Sequence, residues 1–230
     1  MFLRLMIFYM CTEELKGIKF PPVIFMTGTG TDVGKSIATG WLARNLREAG
    51  INCITQKMIQ TGNVGRSEDI ELHRNIMGTV FFEEDEIQLT FPVVLPYPCS
   101  PDLAARLEKT EIDFNTITSA TEKLIEKYDT VLLEGAGGIM VPLKGDYLTA
   151  DYIRDHNYPV ILVVSGELGS INHALLSLNA IKSYNLSLFG VIYNKFFDKD
   201  EVICCDTKEY LRNWIEKNFG DIWWWEMDKL

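Results

Sequence analysis

A glycine-rich segment that ends in Gly34, Lys35 and Ser36 carries the clearest chemical signal in the sequence. The apolar residues 23–26 precede it, and a helix-like segment from Ile37 to Ala49 follows it. Strand, glycine loop and helix in this order are what a phosphate-binding loop requires, because backbone N–H groups and the helix N-terminus then point at phosphate oxygens. In such a loop the Lys35 ammonium reaches the β- and γ-phosphates, and the Ser36 hydroxyl ligates Mg²⁺. The segment therefore predicts a nucleotide site with bound Mg²⁺.

The spacing of the loop has one irregularity. Five residues separate Gly28 from Gly34, where the usual pattern has four, and the position one residue closer holds Thr29. The alternative interpretation is a glycine-rich turn in which Gly-Lys-Ser occurs by chance. We favour the phosphate loop because the strand and the helix flank it on the correct sides.

Charged residues follow other predicted strands. Glu134 comes directly after the apolar residues 131–133, and a buried carboxylate is costly unless it is paired or metal-bound, so it is a candidate Mg²⁺ ligand or else a turn cap. Lys57 ends another strand and could stabilise charge on a transferring phosphoryl group, or it could be a surface lysine. Asp69 and Glu68 begin a helix, where either could ligate Mg²⁺ or simply complement the helix dipole.

Length and composition limit the classes of protein. A chain of 230 residues with 47% hydrophobic residues is one domain with an ample core. The net charge of −10 argues against a nucleic-acid surface and against anionic membranes as partners. The five cysteines form no C-x-x-C pair, and their odd number suits a reducing compartment, so we expect a cytoplasmic protein. The three histidines lack metal-ligand spacing and are expected to be structural or on the surface.

We divide the chain into an N-terminal extension, residues 1–21, and one domain, residues 22–230. The apolar run from Met1 to Cys11 is similar to a signal peptide, but it is short and no small-residue cleavage site follows it. It is also too short to span a bilayer. We interpret it as an extension or a misplaced start, with Met10 as the alternative start.

Predicted strands and helices alternate along the domain. We expect strands at residues 22–26, 51–57, 130–133, 160–164 and 187–193, and helices at 35–48, 67–77, from 101, 114–128, 171–181 and 200–219. Residues 78–98 are predicted to be irregular, and tryptophans 223–225 form either a packed terminal strand or an exposed edge. The alternation predicts an α/β fold: a doubly wound, mostly parallel sheet with helices on both faces. Ligands then bind at the carboxyl ends of the strands, where Lys57, Glu134 and Asn194 also lie.

Five segments, in order between residues 23 and 195, resemble motifs of the dethiobiotin synthetase family, whose phosphate loop also carries five residues between its glycines. The segments are residues 27–36, 56–62, 99–105, 134–138 with 142–143, and 168–174. The sequence departs from the family at Met58, where the family has proline, at Asp102, where it has histidine, and at Gly30, where an acidic residue is usual and Asp32 follows two positions later. The C-terminal part lacks the family's proline segment on the adenine side.

The resemblance implies a P-loop ligase of biotin biosynthesis that uses ATP and Mg²⁺ to join CO₂ to 7,8-diaminononanoate and to close the cyclic urea. It implies a homodimer in which the helix that begins at Gly169 binds the substrate carboxylate across the interface, and in which Asn194 contacts adenine. The implied catalytic residues are Lys57, Lys35 and Thr31; the ATP-binding residues are Gly30, Thr31, Asp32, Val33, Gly34, Lys35, Ser36 and Asn194; the substrate-binding residues are Thr61, Ser100, Gly137, Gly169, Ser170, Ile171 and Asn172; and the metal ligands are Ser36, Glu134 and either Asp69 or Glu68.

Two other functions compete with this one. An amide-forming synthetase that acts on corrinoid precursors usually carries a glutaminase domain, for which 230 residues leave no room. A switch ATPase that positions protein partners generally has an additional lysine early in the phosphate loop, but residues 28–31 contain none. ATP turnover with and without the diamine separates the switch ATPase from the ligase, because a switch ATPase would ignore the diamine.

Overall fold

The structure is a computed structural model that describes residues 15–229. The apolar run Met1–Cys11 and the alternative start at Met10 therefore lie outside the described residues. The described part of the predicted extension packs on the domain: Leu15 is fully buried in the core, and the Phe20 ring lies 5.6 Å from the Phe189 ring. Within residues 15–229 no helix combines the length and the apolar character needed to cross a membrane.

Strands and helices alternate as the sequence predicts. The strands are β1 (Val23–Gly28), β2 (Cys53–Lys57), β3 (Gln60–Thr61), β4 (Val94–Leu95), β5 (Thr130–Gly138), β6 (Pro142–Lys144), β7 (Tyr147–Leu148), β8 (Val160–Ser165), β9 (Leu188–Asn194) and β10 (Trp223–Met227). The helices are α1 (Lys35–Glu48), α2 (Glu68–Met77), α3 (Glu83–Glu86), α4 (Pro101–Leu107), α5 (Phe114–Ile125), α6 (Thr149–His156), α7 (Ser170–Ser183) and α8 (Glu201–Phe219).

The central sheet has the strand order β10-β9-β8-β1-β5-β2, and every pairing in it is parallel. Successive β1 side chains point to opposite faces, so Ile24 packs with the α1 side chain Leu42 while Phe25 packs with the cluster that contains Leu178 of α7. Both faces of the sheet are thus covered by helices, which is the condition that an all-parallel sheet requires. The predicted α/β fold, a doubly wound parallel sheet, is confirmed.

Two helix ends show how local chemistry sets the boundaries. Helix α2 begins after Ser67, whose side chain accepts a hydrogen bond from the Ile70 N–H, and it ends at Gly78 in the left-handed conformation. Helix α1 spans residues 35–48 as predicted, and Gly50 follows with a φ of 86°.

Strand β5 is longer than the sequence predicts. We expected the strand to end at residue 133, with Glu134 as a Mg²⁺ ligand or else the cap of a following turn, but the strand continues through Glu134 to Gly138 and pairs with β1. The glycines permit this close approach, because a Cβ on Gly135 would lie 2.8 Å from the Phe25 ring. Glu134 is therefore held inside the sheet instead of on a turn.

Other differences are additions to the predicted elements. The segment expected to be irregular, residues 78–98, contains helix α3 and strand β4, which pairs with β3. The β6–β7 hairpin and helix α6 lie in residues 142–156, a stretch for which we made no secondary-structure prediction.

The tryptophan segment is a packed strand at the edge of the sheet. Strand β10 pairs in parallel with β9 and is the last strand of the sheet. The segment is therefore a packed terminal strand that also forms an exposed edge. The Trp225 side chain faces the core and is 4% exposed, whereas Trp223 is 42% exposed. Trp224 packs between the Tyr193 ring, 5.9 Å away, and the Arg212 guanidinium, 4.9 Å from its ring centre.

Helices α1 and α2 pack unusually close together at Gly40. A Cβ at this position would lie 3.1 Å from the Cα of His73 and 3.2 Å from the Ile76 side chain. The missing side chain therefore lets α2 approach α1, and this approach brings the first turn of α2 beside Ser36, the second residue of α1.

Candidate active site

The site is a cavity of about 690 Å³ next to the phosphate loop and to the carboxyl ends of β2 and β3. Its walls come from the loop after β1, from the start of α2, from the loop before α4 and from the glycine segment of β5. Among the residues that the sequence singles out, those that line it are Thr31, Asp32, Gly34, Lys35, Ser36, Lys57, Thr61, Asp69, Ser100, Glu134 and Gly137.

The Asn194 side chain anchors the phosphate loop through hydrogen bonds. Its amide nitrogen donates to the Val33 carbonyl, 3.0 Å away, and its amide oxygen accepts from the Phe196 N–H, also at 3.0 Å. Gly34 has a φ of 92°, and a Cβ there would overlap the Asn194 amide nitrogen, so this position requires glycine. Both polar groups of Asn194 are therefore committed to the backbone of the protein.

Lys35 folds back over the loop. Its Nζ donates to the Gly30 carbonyl at a distance of 2.8 Å. Burial lowers the pKa of the Lys35 ammonium, partly opposed by the Glu134 carboxylate, while the Lys57 charge adds to the lowering.

Three oxygen-bearing side chains meet at the start of α1. The Ser36 hydroxyl lies 2.8 Å from the Asp69 carboxylate and 2.8 Å from Oε1 of Glu134. These side chains come from α1, α2 and β5, which are far apart in sequence. The sheet and the close packing of α2 on α1 thus assemble the set.

Lys57 lies at the centre of this cluster. Its Nζ is 2.6 Å from Oδ2 of Asp69 and 2.7 Å from Oε1 of Glu134, and it also donates to the Gly135 carbonyl. Burial opposes the charged ammonium, but the two carboxylates outweigh burial and hold the pKa of Lys57 above its ordinary value. Lys57 is accordingly a buried, charged lysine and not a surface residue.

Glu134 is fully buried and ionised. Burial favours its neutral form, but the charge of Lys57 and the hydrogen bond from His73 outweigh burial and hold the pKa of this carboxyl well below its usual range. Its two oxygens have different partners: Oε1 faces Ser36 and Lys57, and Oε2 lies 2.8 Å from Nε2 of His73.

The two acids at the start of α2 point in different directions. The Asp69 side chain is 24% exposed and faces the cluster. The Glu68 side chain is 66% exposed and lies 3.8 Å from the Arg66 guanidinium, outside the cluster. The structure therefore brings Asp69, and not Glu68, together with Ser36 and Glu134.

The residues predicted to bind the substrate carboxylate lie elsewhere. The range Gly169–Asn172 forms the N-terminus of α7 and does not line the cavity described above. Gly169 has a φ of 93°, and the Ser170 hydroxyl is buried without a hydrogen-bond partner in this structure. Buried hydroxyl groups usually have a hydrogen-bond partner, which can be a protein group, an ordered water or a ligand.

Sequence reasoning missed His73 as a residue of the site. Its Nε2 contacts Glu134, and its Nδ1 lies 3.0 Å from the Thr55 hydroxyl. One signal was present, since Asp69 and His73 are four residues apart and thus share a face of α2. The same spacing would have favoured Asp69 over Glu68.

The donor set suits Mg²⁺. Ser36, Asp69 and Glu134 offer only oxygen atoms, which Mg²⁺ prefers. Among the described residues no group of three or more His, Cys, Asp or Glu side chains could hold a metal alone. In nucleotide enzymes Mg²⁺ usually binds one or two protein carboxylates, and substrate phosphates complete its coordination. The two carboxylates of this site match that arrangement.

Comparison with known proteins agrees with this geometry. A family model described as an AAA domain matches residues 23–218. The chain is 52% identical over 195 residues to the ATP-dependent dethiobiotin synthetase BioD 2 of Pasteurella multocida, covering 85% of this chain and 92% of the relative. It is 44% identical over 200 residues to the ATP-dependent dethiobiotin synthetase BioD of Chlorobaculum tepidum, covering 86% and 84% of the two chains.

Among solved structures, a ParA family ATPase from Chlorobium tepidum aligns with a TM-score of 0.50 and 16% identity, covering 91% of this chain and 85% of that one. At this identity the likeness supports the fold alone. The family follows from the curated relatives and from the matching phosphate loop. The chain belongs to the ATP-dependent dethiobiotin synthetase family.

Proposed function

We propose that the protein uses Mg-ATP to join CO₂ to 7,8-diaminononanoate and to close the cyclic urea of dethiobiotin, releasing ADP and phosphate. It is a ligase of biotin biosynthesis that forms C–N bonds, and we place it in the cytoplasm. One observation carries this proposal: Lys35 of the phosphate loop and the Lys57–Asp69–Glu134 cluster face one cavity. The names of the relatives do not favour a switch ATPase.

The reaction needs positioned charge more than covalent chemistry by the protein. One substrate amine takes up CO₂ as a carbamate, and a carbamate oxygen attacks the γ-phosphorus while ADP leaves. The second amine then attacks the carbamate carbon, closes the ring and expels phosphate. Lys35 and Lys57 stabilise the charge that develops on the transferring phosphoryl group. Thr31 and Thr61, both on the cavity wall, donate to phosphate or carbamate oxygens.

Ser36, Asp69 and Glu134 would hold Mg²⁺. When bound, the ion neutralises charge on the β- and γ-phosphate oxygens. Ser100 and Gly137 also line the cavity and would contact the diamine. Because both amide groups of Asn194 already hold backbone groups of the protein, Asn194 would act on the nucleotide through the phosphate loop and not by a direct hydrogen bond to adenine.

The proposed reaction is tested by phosphate release with ATP, Mg²⁺ and bicarbonate, measured with and without the diamine. We expect release to depend on the diamine and the product to have the mass of dethiobiotin. Release that proceeds equally without the diamine would identify a switch ATPase instead.

The two acids of α2 should differ in their effect on metal dependence. Asp69→Asn is expected to raise the Mg²⁺ concentration for half-maximal activity by about tenfold or more, because it removes a charged oxygen from the cluster. Glu68→Gln is the matched control and should change that concentration by less than about twofold, since the side chain points to solvent. Mg²⁺ titrations of phosphate release distinguish the two, and equal shifts would remove Asp69 from the ligand set.

We further propose that the active unit is a homodimer in which the N-terminus of α7 binds the diamine carboxylate in the partner's cavity. Support comes from the Ser170 hydroxyl, which is buried without a hydrogen-bond partner, and from two exposed leucines: Leu168 just before the helix and Leu176 in its second turn. Free backbone N–H groups and the helix dipole suit one carboxylate, at about 0.3–2 kcal/mol. In a two-fold dimer the same patch serves both sites.

A subunit-mixing experiment tests the shared site. Lys35→Ala and Asn172→Asp are each expected to be inactive, since one removes the phosphate-binding charge and the other repels the substrate carboxylate. A mixed dimer would then hold one site with both defects and one with neither. Activity should return after subunit exchange, with the exchange verified by mass. Exchange without recovery would mean that each site lies within one chain.

A further inference from the structure

We propose that His73 is a positioning residue: its Nε2–H donates to one oxygen of Glu134 and thereby turns the other oxygen toward Ser36 and Lys57. This inference rests on the proposed role of Glu134 in the site. It concerns a residue that does not itself line the cavity: His73 is fully buried and lies behind Glu134, which does line it.

A continuous chain of hydrogen bonds reaches from the protein interior to Glu134. Nη1 of Arg74 donates to the Thr55 hydroxyl at 2.8 Å. That hydroxyl lies 3.0 Å from Nδ1 of His73, and Nε2 of His73 lies 2.8 Å from Oε2 of Glu134. Every member of the chain is buried, so water does not compete for these hydrogen bonds.

The Glu134 contact requires a proton on Nε2 of His73. A carboxylate only accepts, so Nε2 must carry the proton that goes to Glu134. The Thr55 hydroxyl accepts from Arg74 and also contacts Nδ1, which holds the ring in this orientation.

Arg74 gives the chain a fixed end. Its guanidinium is buried and forms two hydrogen bonds of 2.8 Å to the Asp85 carboxylate, a bidentate pair that restricts its orientation. Asp85 is itself held by the Thr90 hydroxyl and the Phe82 N–H. The position of Thr55, and through it of His73, therefore does not depend on flexible surface groups.

The division of the Glu134 oxygens is what gives His73 a function. Oε1 contacts Ser36 and Lys57, whereas Oε2 forms its hydrogen bond with His73. Without the Nε2–H donor, the carboxylate could rotate and present both oxygens to Lys57. His73 thus acts on the reaction through Glu134, as outer-shell partners commonly act on metal-site ligands.

The tautomer is measured on the wild-type protein by two-dimensional ¹H–¹⁵N correlation of the imidazole nitrogens at pH 7.5. The chain has three histidines, and each signal is assigned with a His→Gln variant. We expect Nε2 of His73 to be protonated. His156 is the internal reference for a protonated Nδ1, because its Nδ1 lies 2.8 Å from the Tyr152 carbonyl and must donate. A bare Nε2 in His73 overturns the proposal.

Two substitutions separate positioning from simple core packing. His73→Gln keeps a donor for Glu134 and an acceptor for Thr55, whereas His73→Leu keeps only the bulk. We expect the leucine variant to weaken Mn²⁺ binding by about tenfold or more, measured by electron paramagnetic resonance with a non-hydrolysable ATP analogue. The glutamine variant should stay within about threefold of wild type, and the KM for the diamine should be unchanged in both. Equal weakening in the two variants, or none in either, overturns the proposal.

Failure of this inference is distinguishable from failure of the proposed function. If Glu134 holds no metal, Glu134→Gln leaves Mn²⁺ binding unchanged while the His73 tautomer is still as described. If His73 does not position Glu134, Glu134→Gln weakens Mn²⁺ binding and the His73 variants do not differ. Should His73→Leu fail to fold, the tautomer measurement and His73→Gln still decide the question.

Discussion

Lys35→Ala is expected to lower diamine-dependent phosphate release by a factor of about 100 to 1,000. The ammonium is the side-chain charge that the phosphate loop directs at the nucleotide, and removing one such stabiliser costs about 3–4 kcal/mol of transition-state energy. The effect should appear mainly in kcat, because the charge on the phosphoryl group grows during transfer. Steady-state rates at saturating ATP and diamine measure it.

Lys199→Ala is the matched control for this prediction. Lys199 is an exposed lysine in the segment before α8 and lies outside the cavity, so its removal should leave the rate within about twofold of wild type. Thermal unfolding of both variants checks that each is folded. A folded Lys35→Ala protein with near-normal turnover would contradict the phosphate-loop interpretation.

Glu134→Gln is expected to lower the free energy of unfolding by about 3 kcal/mol at pH 7. The amide has the same shape, but it leaves the buried ammonium of Lys57 with only Asp69 as a charged partner, and breaking one side of a buried ion pair is costly. Domains of this size are typically stable by about 5–15 kcal/mol, so the variant should still fold. Urea unfolding followed by circular dichroism measures the difference.

The pH dependence of the same variant has a defined sign. The folded protein holds the pKa of Glu134 below its unfolded value, so its stabilising contribution is complete above about pH 4.3 and is lost as the pH falls below that value. The difference between wild type and Glu134→Gln should therefore shrink between about pH 5 and pH 3. Glu68→Gln, on the solvent side of the same cluster, should change stability by less than about 0.5 kcal/mol throughout. A difference that is constant over this range would mean that Glu134 is not held ionised.

Local signals in the sequence were sufficient to predict the helices and strands that position the phosphate loop and the site. Gly34–Lys35–Ser36, the Ser67 cap and the apolar run 160–164 each depend on neighbouring residues, and the structure has α1, α2 and β8 where these signals place them. The extension of β5 through Gly138 could not be predicted from local signals. A run of glycines is typical of a turn, and only the pairing partner, β1, shows that these residues continue a strand.

The contacts within the site could not be predicted, because they join residues that are far apart in the sequence. The sequence places Lys57 and Glu134 at strand ends, but only the order β1-β5-β2 shows that the strands are neighbours and that the two charges pair. The contact of His73 with Glu134 likewise requires α2 to approach α1 at Gly40, a packing effect that no local pattern specifies. The four-residue spacing of Asp69 and His73 places both on one face of α2, but the spacing does not show that His73 reaches Glu134.

The edge strand β10 covers the outer backbone groups of β9 and the aromatic surface beside them. It is hydrogen-bonded to β9 along the register Gly190–Trp223 to Asn194–Met227, so the backbone groups of β9 are covered only when this late segment has docked. A bare β9 would be an open template for strand pairing with other chains, next to aromatic surface that Trp225 otherwise covers. Removal of residues 221–230 should thus spare the catalytic groups and instead cause aggregation on refolding, seen as increased light scattering at rising protein concentration.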